Sequence, residues 1–372
     1  MMKILFYTNI PSPYRVDFYN ELGKYCDLAV LFELGGSSER NEEWKNYKFD
    51  NFRGIILDGK RMSVDTAFCP DITRYLKKGV YDIVVVTVLA SLTALLVVST
   101  LKRRKIPYYY EGDGGFAGNT TGLKAKIKRY IISGACKCFS TSKAFDDYCM
   151  AHGAKPQNIE RYSFTSVKKN ELLKQVLTET ERNEWKKQFG IVEECAVVSV
   201  GQFIPRKGFD LLLECSRFLP ENVGVYIVGG RPTEEYLEFQ RRYSLDRVHF
   251  VDFMPKERLM QFYRSMDIFA LFTREDIWGL VINEAMANGL PVISTDKCIA
   301  GLEMIEQESN GLLVESENVE EMKEALLRLA GSKDLRKRMS ENALRCMEQY
   351  TIENMALEHM RIFEREREVE RS

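Results

Sequence analysis

The sequence predicts an α/β protein in which two doubly wound parallel sheets follow one another along the chain. Three observations predict it. Short β-branched or aromatic runs alternate with helical runs; the alternation lapses into charged residues around 163–190 and then restarts; and glycines follow several of the strand-like runs, where the chain must turn into a helix. At 372 residues, 45% of them hydrophobic, the chain is long enough for each half to bury a core of its own.

Lys3–Tyr7 reads as the first strand, Val16–Lys24 as the first helix and Leu28–Phe32 as the second strand, with further strands at Ile55–Leu57, Ile83–Val86, Pro107–Tyr110 and Lys137–Ser140. No residue from Ile83 to Leu101 is charged, so a hydropathy window alone would make this stretch a membrane span. Its β-branched start behind Asp82 and the capping residue Ser91 predict strand, loop and buried helix instead. The linker falls within 163–190. Beyond it, strands at Ala196–Val200, Val225–Val228, Val248–Phe250, Ile268–Leu271 and Val292–Ser294, with a helix from Phe209, repeat the rhythm of the first half. A charged helix, Ile352–Glu370, closes the chain. The predicted domains are therefore 1–175 and 176–350, with 351–372 a helix packing back toward the first. Ligands of such sheets bind beyond the carboxyl ends of the strands, so both domains are expected to face one central cleft.

Composition narrows the function. His152, His249 and His359 stand in no ligand pattern and the nine cysteines have no paired metal spacing, so no metal site is expected. An odd cysteine count without a leader-like start points to the cytosol. Residues 1–178 carry 27 Lys/Arg against 18 Asp/Glu and residues 179–372 carry 26 against 36, about +9 and −10. The basic residues gather at Lys102–Lys105 and at Lys124, Lys126, Lys128 and Arg129, which suits peripheral contact with anionic membrane or a phosphorylated acceptor. A solvated helix face accounts for them equally well. No nucleic-acid partner is expected.

The most informative segment is Thr273–Thr295. Trp278, Gly279 and Leu280 open an amphipathic helix that ends at Asn288-Gly289, ahead of a strand. Unpaired amides near Gly279 would face a diphosphate. Glu284, about a turn further in, is placed to accept from a ribose, and Asp276, with Glu275 beside it, to hold sugar hydroxyls. Upstream, Gly201-Gln202 through Arg206, Lys207 and Gly208 forms a loop between strand and helix; a backbone that approaches phosphate and a lysine that neutralises a leaving group fit it, as does a plain turn with solvent-facing cations. Gly229 and Gly230 lie beneath a base or simply turn the chain. In the first half, Glu111 and Asp113 meet a donor sugar or an acceptor, and Arg15 meets an acceptor phosphate or caps a surface. Neither G-x-G-x-x-G nor G-x-x-x-x-G-K-[ST] occurs at a strand end, which disfavours dinucleotide oxidoreductases and P-loop hydrolases.

Gly201–Gly208 with Lys207, the run from Asp276 through Trp278, Gly279 and Glu284 to Ile293, and the later Glu303 with Asn310–Val314 resemble glycosyltransferase family 4. The resemblance covers most of the second half and implies the GT-B fold: two Rossmann-like domains, a C-terminal helix returning to the first, and a retaining, metal-independent transfer from a nucleotide sugar. It implies that Glu284 binds ribose, that Asp276 binds the donor sugar and that Lys207 holds the diphosphate. Asp276 stands where the family usually has Glu, one methylene longer. Gln202 replaces an arginine that commonly joins the lysine, a role Arg206 can take. In the first half the resemblance is loose, resting on Tyr7–Arg15.

The expected function is a cytoplasmic, retaining hexosyltransferase that uses a UDP- or GDP-sugar as co-substrate, needs no cofactor or metal, and glycosylates a glycan or lipid-linked acceptor in surface polysaccharide synthesis. A nucleotide-sugar 2-epimerase and a non-enzymatic bilobal sugar-binding protein are the alternatives.

Overall fold

The structure, a computed structural model, describes residues 1–37, 47–89, 91–118 and 120–371. It divides into two α/β units, one formed by Met1–Ser166 with the chain from Thr351 onward, the other by Val167–Tyr350.

In the first unit the strands are β1 (Lys3–Thr8), β2 (Asp27–Phe32), β3 (Arg53–Ile56), the short ribbon β4 (Lys60–Arg61) and β5 (Ala67–Phe68), β6 (Ile83–Val86), β7 (Tyr109–Glu111), β8 (Lys137–Ser140) and β9 (Ile159–Arg161). Seven of them form one sheet in the order β3-β2-β1-β6-β7-β8-β9, every neighbouring pair parallel. The helices are α1 (Pro13–Leu22), α2 (Leu92–Arg104), α3 (Gly122–Ile132) and α4 (Lys143–Ala151). The uncharged stretch 83–101 divides as its sequence predicts: β6 is buried along its length, and the Ser91 hydroxyl accepts the Ala94 amide at 2.9 Å to start α2. Among the described residues no helix is long and apolar enough to cross a membrane. β9 was not anticipated, because a half-exposed edge strand reading Ile-Glu-Arg carries too little apolar signal.

The second unit contains α5 (Glu179–Phe189), β10 (Cys195–Val200), α6 (Phe209–Ser216), β11 (Val223–Val228), α7 (Glu234–Arg242), β12 (Val248–Val251), α8 (Lys256–Arg264), β13 (Ile268–Leu271), α9 (Leu280–Ala287), β14 (Val292–Thr295), α10 (Ile299–Met304), β15 (Gly311–Val314), α11 (Val319–Ala330) and α12 (Lys333–Met347). Its parallel sheet runs β12-β11-β10-β13-β14-β15, reversing direction beside β10 as in doubly wound folds.

The linker expectation needs correction. Helix α5 lies inside 163–190, started by a capping box: Thr178 Oγ1 accepts the Glu181 amide at 3.3 Å and Glu181 accepts the Thr178 amide at 2.8 Å. Its charges mask it because it packs through few residues, among them Phe189, edge-on to Phe262, and the buried Lys186. The residues just before it attach to the second unit: the Leu173 amide bonds the Ala287 carbonyl at 3.0 Å, and Lys256 pairs with Glu171 at 2.8 Å. The division accordingly falls after Ser166 rather than at 175. The last helix, α13 (Ile352–Arg371), belongs to the first unit, where Phe363 packs on Phe6 and Phe139 and Glu358 accepts from the Ser163 amide at 2.7 Å.

Candidate functional site

In the second unit the predicted residues converge at the carboxyl ends of β10, β11 and β13. The Gly201 amide continues the ladder onto the Val228 carbonyl at 2.9 Å, and Gly229 backs directly onto Gly201: a Cβ there would stand 1.7 Å from the Gly201 oxygen. Side chains are excluded at this crossing, which leaves backbone at the strand ends. Gly230 opens onto space and Gln202 is exposed, its carbonyl accepting the Ile204 amide at 2.8 Å.

A short turn, Pro205–Lys207, then brings two cations to the loop behind β13. Lys207 Nζ donates to Asp276 Oδ2 at 2.5 Å, with 13% and 10% of the two side chains exposed. Little water screens this pair, so it is held more tightly than a surface pair. Arg206 donates to the Glu275 carbonyl at 2.6 Å and stands 3.8 Å from Asp276 Oδ1. The Arg206 carbonyl in turn accepts the Arg274 amide and the Thr273 hydroxyl, each at 2.8 Å, which ties the two loops together. Asp276 is fixed through its backbone as well, its amide on the Lys297 carbonyl at 2.8 Å and its carbonyl accepting the Ile299 amide at 3.2 Å.

Gly279 then turns the chain into α9 at φ +101°, where an added Cβ would press to 2.6 Å from the Cys298 sulfur. No side-chain hydrogen bond caps this helix; the Ile282 amide bonds the Gly279 carbonyl at 2.9 Å, and the helix starts beside Asp276, whose Cγ would lie 3.8 Å from an added Gly279 Cβ. Burial, followed by the Asp276 charge, pushes the Cys298 thiol up to about 12, and its proton is donated to the Trp278 carbonyl at 3.1 Å. Trp278 buries its indole, with Nε1 on Asn283 Oδ1 at 2.8 Å; what it contributes at the helix start is its backbone. Helix α9 is not amphipathic as expected but buried on nearly every side, between α8, α10 and α12. Glu284 is half-buried on α9 and lies against the Tyr263 hydroxyl, whose pKa is raised well above its usual range by burial first and by Glu284 second. Leu280, Gly279, Asp276, Glu275, Arg206, Lys207 and Gly201 thus share one neighbourhood, with Glu284 further along the same helix. Thr273, Thr295 and Cys298, which hold the loops, were missed by sequence reasoning; Thr273 and Thr295 flank the recognised segment, and nothing in the sequence marks Cys298 as packed under Gly279.

In the first unit the structure corrects two assignments. Arg15 is 4% exposed and is clamped by Glu111 and Asp113, so it neither meets solvent nor waits for an acceptor phosphate. Glu111 is fully buried, with His359 Nε2 3.4 Å from its other oxygen. Burial pushes this carboxyl up, but Arg15 and then His359 outweigh it and hold it down at about 2. Asp113 keeps partial exposure while bonding Arg15 and, at 2.6 Å, the Tyr14 hydroxyl. These residues form an internal ion-pair network, joined by Phe164 and by α13 through His359, none of which sequence spacing could connect. On α3, Lys124, Lys126 and Arg129 are exposed beside Leu123, while Lys128 is half-buried near the Tyr148 ring. Among the described residues no group of three or more His, Cys, Asp or Glu side chains could hold a metal ion.

Residues 181–345, which contain the whole of this second-unit site, match the family described as glycosyl transferases group 1. The matched stretch is less than half of the chain. Curated relatives of it include an uncharacterized glycosyltransferase of Haemophilus influenzae, 33% identical over 175 residues (46% of this chain, 49% of that protein). Another is the D-inositol 3-phosphate glycosyltransferase of Mycobacteroides abscessus, 33% identical over 160 residues (41% of this chain, 35% of that protein). The chain thus spans about half the length, or less, of these relatives. Among solved structures, Anabaena HepE in complex with UDP superposes with a TM-score of 0.79 at 17% identity, covering 98% of this chain and 100% of that one. A Thermosynechococcus elongatus sucrose-phosphate synthase gives 0.77 at 16% identity, covering 98% of each chain. The fold is GT-B, with two Rossmann-like α/β units.

Proposed function

We propose that the chain is a retaining glycosyltransferase of family 4 that moves a hexose from a UDP- or GDP-sugar to a hydroxyl of a glycan or lipid-linked acceptor in surface polysaccharide or glycan synthesis. The observation that carries the reading is the Lys207–Asp276 pair set against the uncapped start of α9, inside the stretch that matches group 1. A diphosphate arriving there meets Lys207, Arg206 and first-turn amides, all aimed where negative charge grows as the bond to the sugar's anomeric carbon breaks. As Lys207 turns to the phosphate, Asp276 is released to accept from sugar hydroxyls. Glu284 accepts from the ribose. The acceptor oxygen bonds to the anomeric carbon on the face the diphosphate leaves, and its proton passes to the departing phosphate oxygen. Catalysis is then positioning and leaving-group stabilisation, with the cations in the place a metal would otherwise take.

The HepE relative is solved with UDP-glucose, which favours a uridine donor for this chain as well. The reading also includes a cytosolic location with the exposed cations of α3 on the cytoplasmic face of an anionic membrane. The test is transfer from UDP- and GDP-sugars to an acceptor panel, with a donor-only reaction alongside. Product formed without acceptor would make the protein an epimerase, and Lys207→Ala and Glu284→Ala variants that retain full transfer rates would overturn the assignment.

A further inference from the structure

Away from the donor site, the second unit has a groove of about 900 Å³ between α5 and α12, lined also by residues that precede β10 and β13. Those parallel strands carry Gly201 and Thr273 at their other ends, so the groove and the donor site occupy opposite edges of one sheet, separated by strands roughly 15–20 Å long.

The groove's floor holds three buried cations. Arg182 and Lys186 expose 12% and 7% of their side chains, and Arg336 is 8% exposed. Asp267 is the carboxylate between them: its Oδ2 takes Lys186 Nζ at 2.6 Å and the Ala196 amide at 2.8 Å, and its Oδ1 stands 3.7 Å from Arg182 Nε. Their other bonds run to main-chain carbonyls, Arg182 to Met266, Lys186 to Glu194 at 2.6 Å, and Arg336 to Leu329 at 2.6 Å and Ala330 at 2.8 Å. Carbonyls orient a cation without neutralising it. At the rim Glu179 and Glu194 pair with Lys333, at 2.8 and 3.0 Å, Glu194 also feels the Arg336 charge, and Asp334, Glu341 and Glu348 stand there with Lys174, Lys337 and Arg345. Burial presses Arg182 below its ordinary range; Asp267 works against that and Arg336 adds to it. Over the whole lining seven Lys/Arg face six Asp/Glu, but on the poorly screened floor three positive charges face one carboxylate, so the positive excess that a small anion would meet is concentrated there.

We infer that this groove binds a phosphate-bearing small molecule, with Arg182 and Arg336 gripping the phosphate oxygens and Lys186 completing the charge balance. Guanidinium groups fixed by packing match phosphate geometry and lose little freedom on binding. The exposed Lys174 and Lys337 at the rim draw the anion in. The site is independent of sugar transfer and stands whether or not that reading holds.

Calorimetric titration of inorganic pyrophosphate into full-length Lys207→Ala protein, whose donor lysine is gone, tests it. Expected is saturable binding that weakens with added salt and falls roughly tenfold in the same background with Lys174→Glu and Lys337→Glu, surface changes that leave the melting temperature unmoved. A further loss is expected with Arg336→Gln. Absence of binding in Lys207→Ala protein, or binding that both sets of changes leave intact, overturns the inference.

Discussion

Arg15→Met removes the guanidinium from Glu111 and Asp113 while leaving a side chain long enough to fill its space near Tyr14 and Phe164. Taking one partner out of a buried pair costs about 3–5 kcal/mol, because the remaining charge stays buried. The structure gives the same size by another route. Glu111 is held at about 2 against an ordinary 4.5, and that difference is worth about 3 kcal/mol of folding free energy at neutral pH. A folded pKa below the unfolded one stabilises above the unfolded value and is lost as pH falls through the folded value, so wild type gives up this contribution between pH ~4.5 and ~2. In the variant, burial is no longer outweighed and Glu111 protonates more readily, so the gap between the two proteins is widest at neutral pH and closes in acid. Urea unfolding followed by far-UV circular dichroism should place the variant's first transition on the order of 1 M lower. A midpoint that barely moves, together with a raised KM for acceptor, would mean that Arg15 is a ligand group after all and that the buried-network account is wrong.

Lys207→Ala should lower kcat by roughly 10²–10³-fold, the usual loss when a donor to the leaving group is removed, in a single-turnover assay of sugar release. Gly279→Ala combines a left-handed backbone with a Cβ against Cys298 and should cost about 2–4 kcal/mol in thermal unfolding, with loss of nucleotide affinity. A screen of UDP-, GDP- and ADP-sugars should raise the melting temperature by roughly 5–10 °C for the true donor at saturation and leave it unmoved for the others.

Much of the candidate site in the second unit was readable from the chain because each half of it is local. Asp276, Gly279 and Glu284 fall within one loop and helix, and Gly201 with Lys207 within one turn, so spacing alone implies a shared strand end. Ser91 made the uncharged 83–101 stretch legible in the same way, by marking a helix start. Other features had no local signature. Arg15, in the first turn of α1, looks like a surface cation until Glu111, Asp113 and His359 arrive from β7, the loop behind it and the last helix. Helix α5 reads as solvated linker because its inward face is so narrow, and the cations between α5 and α12 look like ordinary surface charge until α12 covers them. Local pattern reports periodicity and caps; it is silent about which distant groups will neutralise a charge.

Because α13 completes the first unit, that unit is discontinuous in the chain. A ribosome releases the whole of the second sheet before it delivers His359 and Phe363, so Phe6 and Arg15 wait through its synthesis for their final neighbours. A nascent chain stalled before α13 would hold one finished lobe and one with an open aromatic wall, which is the kind of surface that chaperones engage.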